Sequence, residues 1–511
     1  MCSVDWADTA VHDLLRDNWY YNPEHGNKAA GAERPAEEEP ISTGTKKLHV
    51  IMQRARHAAR STTIEHVVIV AVVLLSRLPF LGGGYGSDPD AWRVASAART
   101  IATTGTYVAS RLPGYPIPEL VYSILWPASP LLFNFLTMLF SAGATAFFVL
   151  SLRHLGCRDA RLASLGFALT PVVYINSTNS MDYVWAVAFL MGSLYFALVR
   201  RPIWAGMLLG AAIGCRITSA LMLLPFGLLL VQNDRPNKPL RRLVGFSVIT
   251  FLIGVVTFAP VFTRYGTGLF TFSQASYPDW SRLISLGLVG VWGRIGMAAL
   301  VVTVLYGMIY RGAGSLERTI PFLQRPYHLA FISVIAVYGL AFLGLPLEPG
   351  YLIPIVPFTI ILLGVYLERR TFQLLCVALL GSSFVDFDQS GIAPGPIFQE
   401  RISRVAGAKE AGQTLALGNR LPPKSVVVVG PLLPQIELSQ SNTAPRDTDY
   451  VYLLDETQAA IYRANGYRIY YRTGMRELNQ SIYGVDLDLY GGMVLRAADG
   501  RQQRIDDIDA R

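Results

Sequence analysis

The residues best placed to do chemistry follow the first long apolar run of the chain, in the stretch Gly86-Ser87-Asp88-Pro89-Asp90-Ala91-Trp92-Arg93. Two carboxylates flank a proline there. An aspartate before a proline is a common helix start, because its side chain accepts from orphan amides and proline needs no donor at the first helical position. Asp90, one position further in, also suits the positive end of the helix dipole. Neither structural role requires two acids, and neither explains Arg93 on the following turn. The chemical alternative is a general base acting on an acceptor hydroxyl or amine. Asp88 and Asp90 together could also bind a divalent metal, although Asp-x-Asp alone is a weak metal signal and the chemistry requires no cofactor. Which of the two is the base stays open, with Asp90, next to Trp92 and Arg93, slightly preferred.

Arginines form the second set. Arg93, Arg99 and Arg111 follow the first apolar run, and Arg264 and Arg282 flank a later link. Arg216 interrupts two short apolar halves, GMLLGAAIG and ITSALMLLPFGLLL, and Arg294 stands inside GLVGVWGRIGMAA. Taken singly, Arg93, Arg99 and Arg282 read as solvated or headgroup-facing side chains. Arg216 and Arg294 have little water among their neighbours, and a charge at membrane depth costs a few kcal/mol or more, so it faces a cavity or a partner. Guanidinium groups suit bidentate binding of phosphate oxygens. Carboxylates and arginines on one face suggest an anionic, lipid-linked substrate.

The elements that must carry these residues are membrane helices. Of the 511 residues 52% are hydrophobic and 16% charged, and the mean hydropathy is +0.35. Apolar spans fall near 64–82, 130–151, 162–179, 183–199, 202–214, 217–231, 243–262, 284–310, 328–346, 351–367 and 371–385, about eleven helices by the length criterion. The fold class expected is an all-α polytopic membrane protein. With the N-terminus in the cytoplasm, the links 153–161, 200–202, 233–242, 311–328 and 368–370 lie inside, and each is basic or locally rich in Arg and Lys. The first outer loop is then 82–129, and 386–511 is extracytoplasmic. The net charge of +8 fits cytoplasmic loops better than nucleic-acid binding, which is excluded as a partner. The four cysteines, Cys2, Cys157, Cys215 and Cys376, form no CxxC pair, which argues against a disulfide framework or a zinc site.

The ends differ from the middle. Residues 1–60 read as a mostly disordered cytoplasmic tail closed by a basic segment, KKLHVIMQRARHAAR. Residues 61–385 are the transmembrane domain. In 386–511, strand patterns at 425–430, 449–455, 467–471 and 490–496 alternate with helical stretches at 398–417, 456–466 and 474–484, which predicts a small α/β domain. With no Gly-rich phosphate loop and no catalytic motif, its expected role is docking or scaffolding.

Four pieces in this order resemble the GT-C superfamily of integral-membrane glycosyltransferases, which includes protein O-mannosyltransferases and lipid A aminoarabinose transferases. They are SDPDAW after the first span, RLPGYP at 111–116, NSMDYVWAVAFL onward through the Gly-rich helix to Arg216 and Thr218, and LEPGYLIPIVPF at 347–358. The resemblance covers roughly 64–385. It implies inverting transfer of a sugar from a polyprenyl-phosphate-linked donor to an envelope acceptor at the outer face of the cell membrane. Asp88 or Asp90 takes the acceptor-activating role. Arg216, with Arg111 and Arg294, holds the donor phosphate, and Asp182, Glu348, Tyr351 and Tyr115 lie toward substrate or toward each other's cationic neighbours. Two departures stand out: Gly350 occupies the place of an Arg before Tyr351, and Asp-Pro-Asp replaces the adjacent Asp-Glu of the O-mannosyltransferases. No WWDYG-like segment is present, which speaks against oligosaccharyl transfer to asparagine. A transporter or flippase for an anionic lipid or solute is the alternative, since broken helices and intramembrane arginines suit it too.

Overall fold

The computed structural model describes residues 64–157, 159–232, 239–270, 277–311, 327–388, 391–440 and 448–495. The expected tail and basic segment of 1–60, and most of the links 233–242 and 311–328, lie outside them. The chain forms two units, Met1–Val72 and Val73–Arg511. In the first, 64–72 are helical. All that follows concerns the second.

This unit is mostly helical. Among the described residues, three helices are long and apolar enough to cross a membrane, Pro130–His154, Pro239–Leu269 and Trp280–Ile309, and seven further apolar helices are 10–17 residues long. Large side chains such as Phe251, Val256, Met308 and Ile309 stand on their surfaces about 70% exposed. A soluble protein would bury such a collar; a bilayer is the solvent that suits it.

Several expected spans are broken, each for a local reason. The stretch 162–179 divides into Ala160–Leu169 and Pro171–Asn176, because Pro171 holds Thr170 extended (φ −61°, ψ 132°). The helix Pro202–Cys215 stops at an extended Arg216 (φ −152°, ψ 119°) and resumes as a 3₁₀ turn, Ile217–Met222. The last expected span ends at Ser382, and by Val385 the chain is in a β-hairpin, β1 (Val385–Asp388) against β2 (Gly391–Pro394), which the apolar run did not foretell.

Close helix packing fixes the position of Arg216. Gly206, Gly210 and Gly214 recur every four residues along one face of Pro202–Cys215. A Cβ on Gly206 would sit 2.7 Å from the Phe246 carbonyl oxygen, and one on Gly214 would sit 2.7 Å from Ile117. The missing side chains let this helix lie directly on Pro239–Tyr265, as small residues do where no hydrophobic driving force separates helix from lipid. Its other neighbour is Tyr183–Leu198, which also packs on Pro130–His154.

Beyond the hairpin come the helix Pro396–Gly418 and a four-stranded sheet of β3 (Ser425–Val428), β4 (Thr448–Val451), β5 (Arg468–Arg472) and β6 (Met493–Leu495). Its order is β4-β3-β5-β6 and every pairing is parallel. Each of the four strand patterns read from the sequence overlaps one of these strands. β3 is buried at all four positions. Val426 and Val428 pack with Leu454 and Leu487, while Val427 joins Ile436 and Ala411 in a separate cluster. Burial on both faces explains why Ser-Val-Val-Val reads as a continuous apolar run and not as an alternation.

Candidate active site

Asp88 is the N-cap of the helix Pro89–Thr104. Its carboxylate accepts from the Asp90 backbone N–H at 2.8 Å. The loop before it is tied back twice: the Trp92 indole donates to the Gly86 carbonyl at 2.8 Å, and the Ser180 amide donates to the Tyr85 carbonyl at 2.8 Å. The cap expected from the sequence is therefore real, and it uses one oxygen of Asp88.

Asp90 has different company. Its Oδ1 takes the Arg93 guanidinium at 2.8 Å and its Oδ2 takes Arg111 Nε at 2.9 Å. Arg111 continues through Nη2 to Asp182 Oδ1 at 2.9 Å, and Asp182 Oδ2 receives Arg216 Nη1 at 2.5 Å. Arg93, Asp90, Arg111, Asp182 and Arg216 thus form one unbroken chain of alternating charge. Asp182 is fully buried, and its two oxygens are both engaged by arginines. Three cations against two anions leave the chain positive. Arg111 Nη1 is buried without a hydrogen-bond partner. A guanidinium donor left so is costly unless something occupies the space in front of it.

Aromatic faces hold the two inner arginines. Arg111 lies 4.1 Å from the centroid of Tyr115, and Arg216 lies 4.0 Å from Tyr183, 5.2 Å from Tyr351 and 5.4 Å from Tyr115. Such stacking favours the planar guanidinium over a lysine ammonium. Beside Arg216 is a small hollow, lined among others by Tyr183, Ser219, Tyr338 and Tyr351. Tyr183 also donates its hydroxyl to Glu348. Gly350 has a physical reason here: a Cβ on it would lie 2.7 Å from Tyr183 Cζ. The Tyr183 ring fills the volume an arginine at this position would need.

Asp88, Asp90 and Glu348 each offer a carboxylate oxygen within 4.8 Å of the others. Three hard oxygen ligands suit a divalent cation such as Mg²⁺ or Ca²⁺. Asp90 already satisfies two arginines, whereas Asp88 accepts only from the Asp90 amide and Glu348 only from Tyr183, so Asp88 and Glu348 are less committed than Asp90. Burial, with Glu348 and Asp90 next to it, pushes the Asp88 carboxyl from its ordinary 3.8 up to about 7.

Of the residues singled out in the sequence, Asp88, Asp90, Arg111, Tyr115, Asp182, Arg216, Glu348 and Tyr351 come together. Arg294 goes elsewhere. It follows Gly293, a kink at φ 70°, and its Nη1 pairs with Asp386 at 3.2 Å and donates to the Phe387 carbonyl at 2.6 Å. Two supporting carboxylates escaped the sequence reading. Glu119 is fully buried and accepts from Ser110 N at 2.7 Å, Ser110 Oγ at 2.6 Å, Tyr115 N at 3.1 Å and the Tyr107 hydroxyl, so it clasps the turn bearing Arg111 from both sides. The signal was one acid inside the apolar PIPELVYSIL. Glu400, on the helix Pro396–Gly418, accepts from the Ser87 amide at 3.1 Å and from the Ser87 hydroxyl. It is held by Arg404 at 2.7 Å, which is itself buried on the carbonyls of Phe80 and Thr178. The segment after the last helix of the bundle thus grips the residue preceding Asp88.

No family model matches the sequence, and no curated protein matches it. Solved structures of ArnT from Cupriavidus metallidurans are similar at low identity. The apo form is 16% identical, with 73% of this chain and 83% of that chain covered, at a TM-score of 0.45. The form bound to undecaprenyl phosphate is 14% identical, with 78% and 87% covered, at a TM-score of 0.49. Function has to be read from this chain's own side chains.

Proposed function

We propose that the protein is a membrane glycosyltransferase that moves a sugar from a polyprenyl-phosphate-linked donor to an envelope acceptor. The observation that carries this reading is the buried, net-positive arginine pair held by Asp182 within reach of an under-committed carboxylate, Asp88. Arg111 and Arg216 take the donor phosphate, with Arg111 Nη1 as the spare donor. Tyr115, Tyr183 and Tyr351 keep the guanidinium planes in place. Asp88 accepts the proton of the acceptor hydroxyl or amine. The acceptor oxygen or nitrogen then bonds to the anomeric carbon on the face opposite the phosphate, the carbon–oxygen bond to phosphate breaks, and polyprenyl phosphate leaves with the electron pair. Configuration inverts. Neutralising the leaving group by the arginines and orienting the acceptor supply the rate enhancement, so no strong acid is needed.

In this reading about eleven spans cross the membrane, the N-terminus is cytoplasmic, and the site and the 386–511 domain face outward. The domain serves the site through Glu400 on Ser87 and through Arg99, which donates to the carbonyls of Glu437 and Leu438. Arg294 takes no part in the phosphate site. A divalent cation is not required; if one binds, Asp88, Glu348 and Asp90 hold it, and it supplies further positive charge.

The rate should follow the ionisation of Asp88. A base works deprotonated, and its carboxyl is raised to about 7. Release of polyprenyl phosphate is therefore expected to climb about tenfold per pH unit below 7 and to level off above it. Stability runs the other way. The folded value lies above the unfolded one, so the contribution of Asp88 is complete below pH 4 and is lost as pH rises toward 7. A rate already flat from pH 5 upward removes Asp88 from the role. Movement of lipid or solute across vesicles without bond cleavage selects the transporter instead.

A further inference from the structure

The hairpin after the last helix of the bundle has an apolar face that is exposed among the described residues. Cross-strand partners Phe387 and Ile392, and Val385 and Pro394, share one side. Phe387 is 52% exposed, Ile392 79% and Val385 37%. The opposite side carries Asp386, which is buried and paired with Arg294. A two-stranded ribbon is marginal in water, and one with its apolar face outward is more so.

We propose that this face lies on the outer leaflet of the bilayer, as an interfacial anchor at the edge of the bundle. Three observations favour lipid over a protein partner. The hairpin starts three residues after Ser382, so Val385 is at most about 10 Å from the helix end. The preceding helix, Arg369–Ser382, exposes Leu374 and Val377, so apolar side chains stand exposed on both elements that meet at this junction. Beyond the Gly293 kink the helix runs from Arg294 to Arg311, about 27 Å at 1.5 Å per residue, so Arg294 stands at the outer end of that segment, about half exposed, paired with Asp386 and fastened to the Phe387 carbonyl. The same geometry accounts for an arginine inside an apolar run without giving it to the donor phosphate. An anchor here also steadies the chain between the bundle and the helix that carries Glu400.

The test places nitroxide labels at Ile392→Cys, on the apolar face, and Asp388→Cys, on the other face. The full chain carries Cys2→Ser, is reconstituted in phosphatidylcholine–phosphatidylglycerol vesicles, and the signal of the parent without the new cysteine is subtracted. Collisions are measured with oxygen, which concentrates in lipid, and with an aqueous nickel chelate. The oxygen-to-nickel ratio at 392 is expected to exceed that at 388 several-fold. Equal ratios overturn the proposal. A label at 392 shielded from both probes and broadened by a second label also overturns it, and gives the face to a second copy of the chain. The inference rests on the membrane reading, and a third label at Leu374→Cys separates the two. If that site also favours nickel, the membrane reading itself fails.

Discussion

Asp88→Asn is expected to lower turnover by about 10²- to 10⁴-fold, the usual range for a positioned general base, while the protein still folds and still binds polyprenyl phosphate. The substitution separates the two roles of this residue. Asparagine is as good an N-cap as aspartate, so the hydrogen bond to the Asp90 amide and the start of the helix survive. What is lost is the ability to take a proton. A variant that turns over at the wild-type rate would make Asp88 a cap and nothing more. Asp90→Asn should behave differently. Asp90 spends one oxygen on Arg93 and the other on Arg111, so its loss loosens Arg111 and weakens donor binding together with turnover. The pair is thus divided by environment: one carboxylate is neutralised by arginine, while its neighbour is left near neutral pH by burial and like charge.

The second large effect is on stability. Asp182→Ala should cost on the order of 3–5 kcal/mol, the range found when one partner of a buried ion pair is removed and the other charge stays behind. Here Arg216 loses its carboxylate and Arg111 keeps only Asp90, and both arginines lie mostly buried. The measurement is thermal denaturation of the purified protein in detergent. An added polyprenyl phosphate should recover part of the loss, because its anionic head replaces the missing carboxylate between the two arginines. An unchanged melting temperature would mean that Asp182 is dispensable to the arginine pair.

The sequence pointed to most of these residues but not to their pairing. A carboxylate before a proline, an arginine between two apolar halves and an aspartate at the head of an apolar helix are each anomalies that local reading detects. That Asp182 bridges Arg111, 71 positions away, and Arg216, 34 positions away, is set by packing. Nothing in the motif SDPDAW tells which aspartate is free. That depends on Arg111 reaching Asp90 across the loop, and it is why the proposed base is Asp88 and not Asp90, which the sequence slightly favoured. Arg294 looked equivalent to Arg216 because both interrupt apolar runs. The kink at Gly293 and the unforeseen hairpin give it other partners. Glu400 and Arg404, four apart on one helix, carry no signal in the sequence that marks them out. Only the tertiary fold puts Ser87 against that carboxylate. The strands of the C-terminal sheet, by contrast, were legible from short apolar runs between turns, because each strand is short and bounded by chain that cannot continue it.

The acceptor is not needed to test the centre of this account, the use of the arginine pair as a phosphate site. The direct measurement is equilibrium binding of a polyprenyl phosphate to the purified protein and to Arg216→Ala. Loss of a charge-assisted hydrogen bond of about 1.5–3 kcal/mol predicts roughly a 10- to 100-fold weaker Kd, with Arg216→Lys in between because it keeps the charge and loses the fork. Equal affinity in wild type and Arg216→Ala would contradict the assignment and leave Arg216 a structural partner of Asp182.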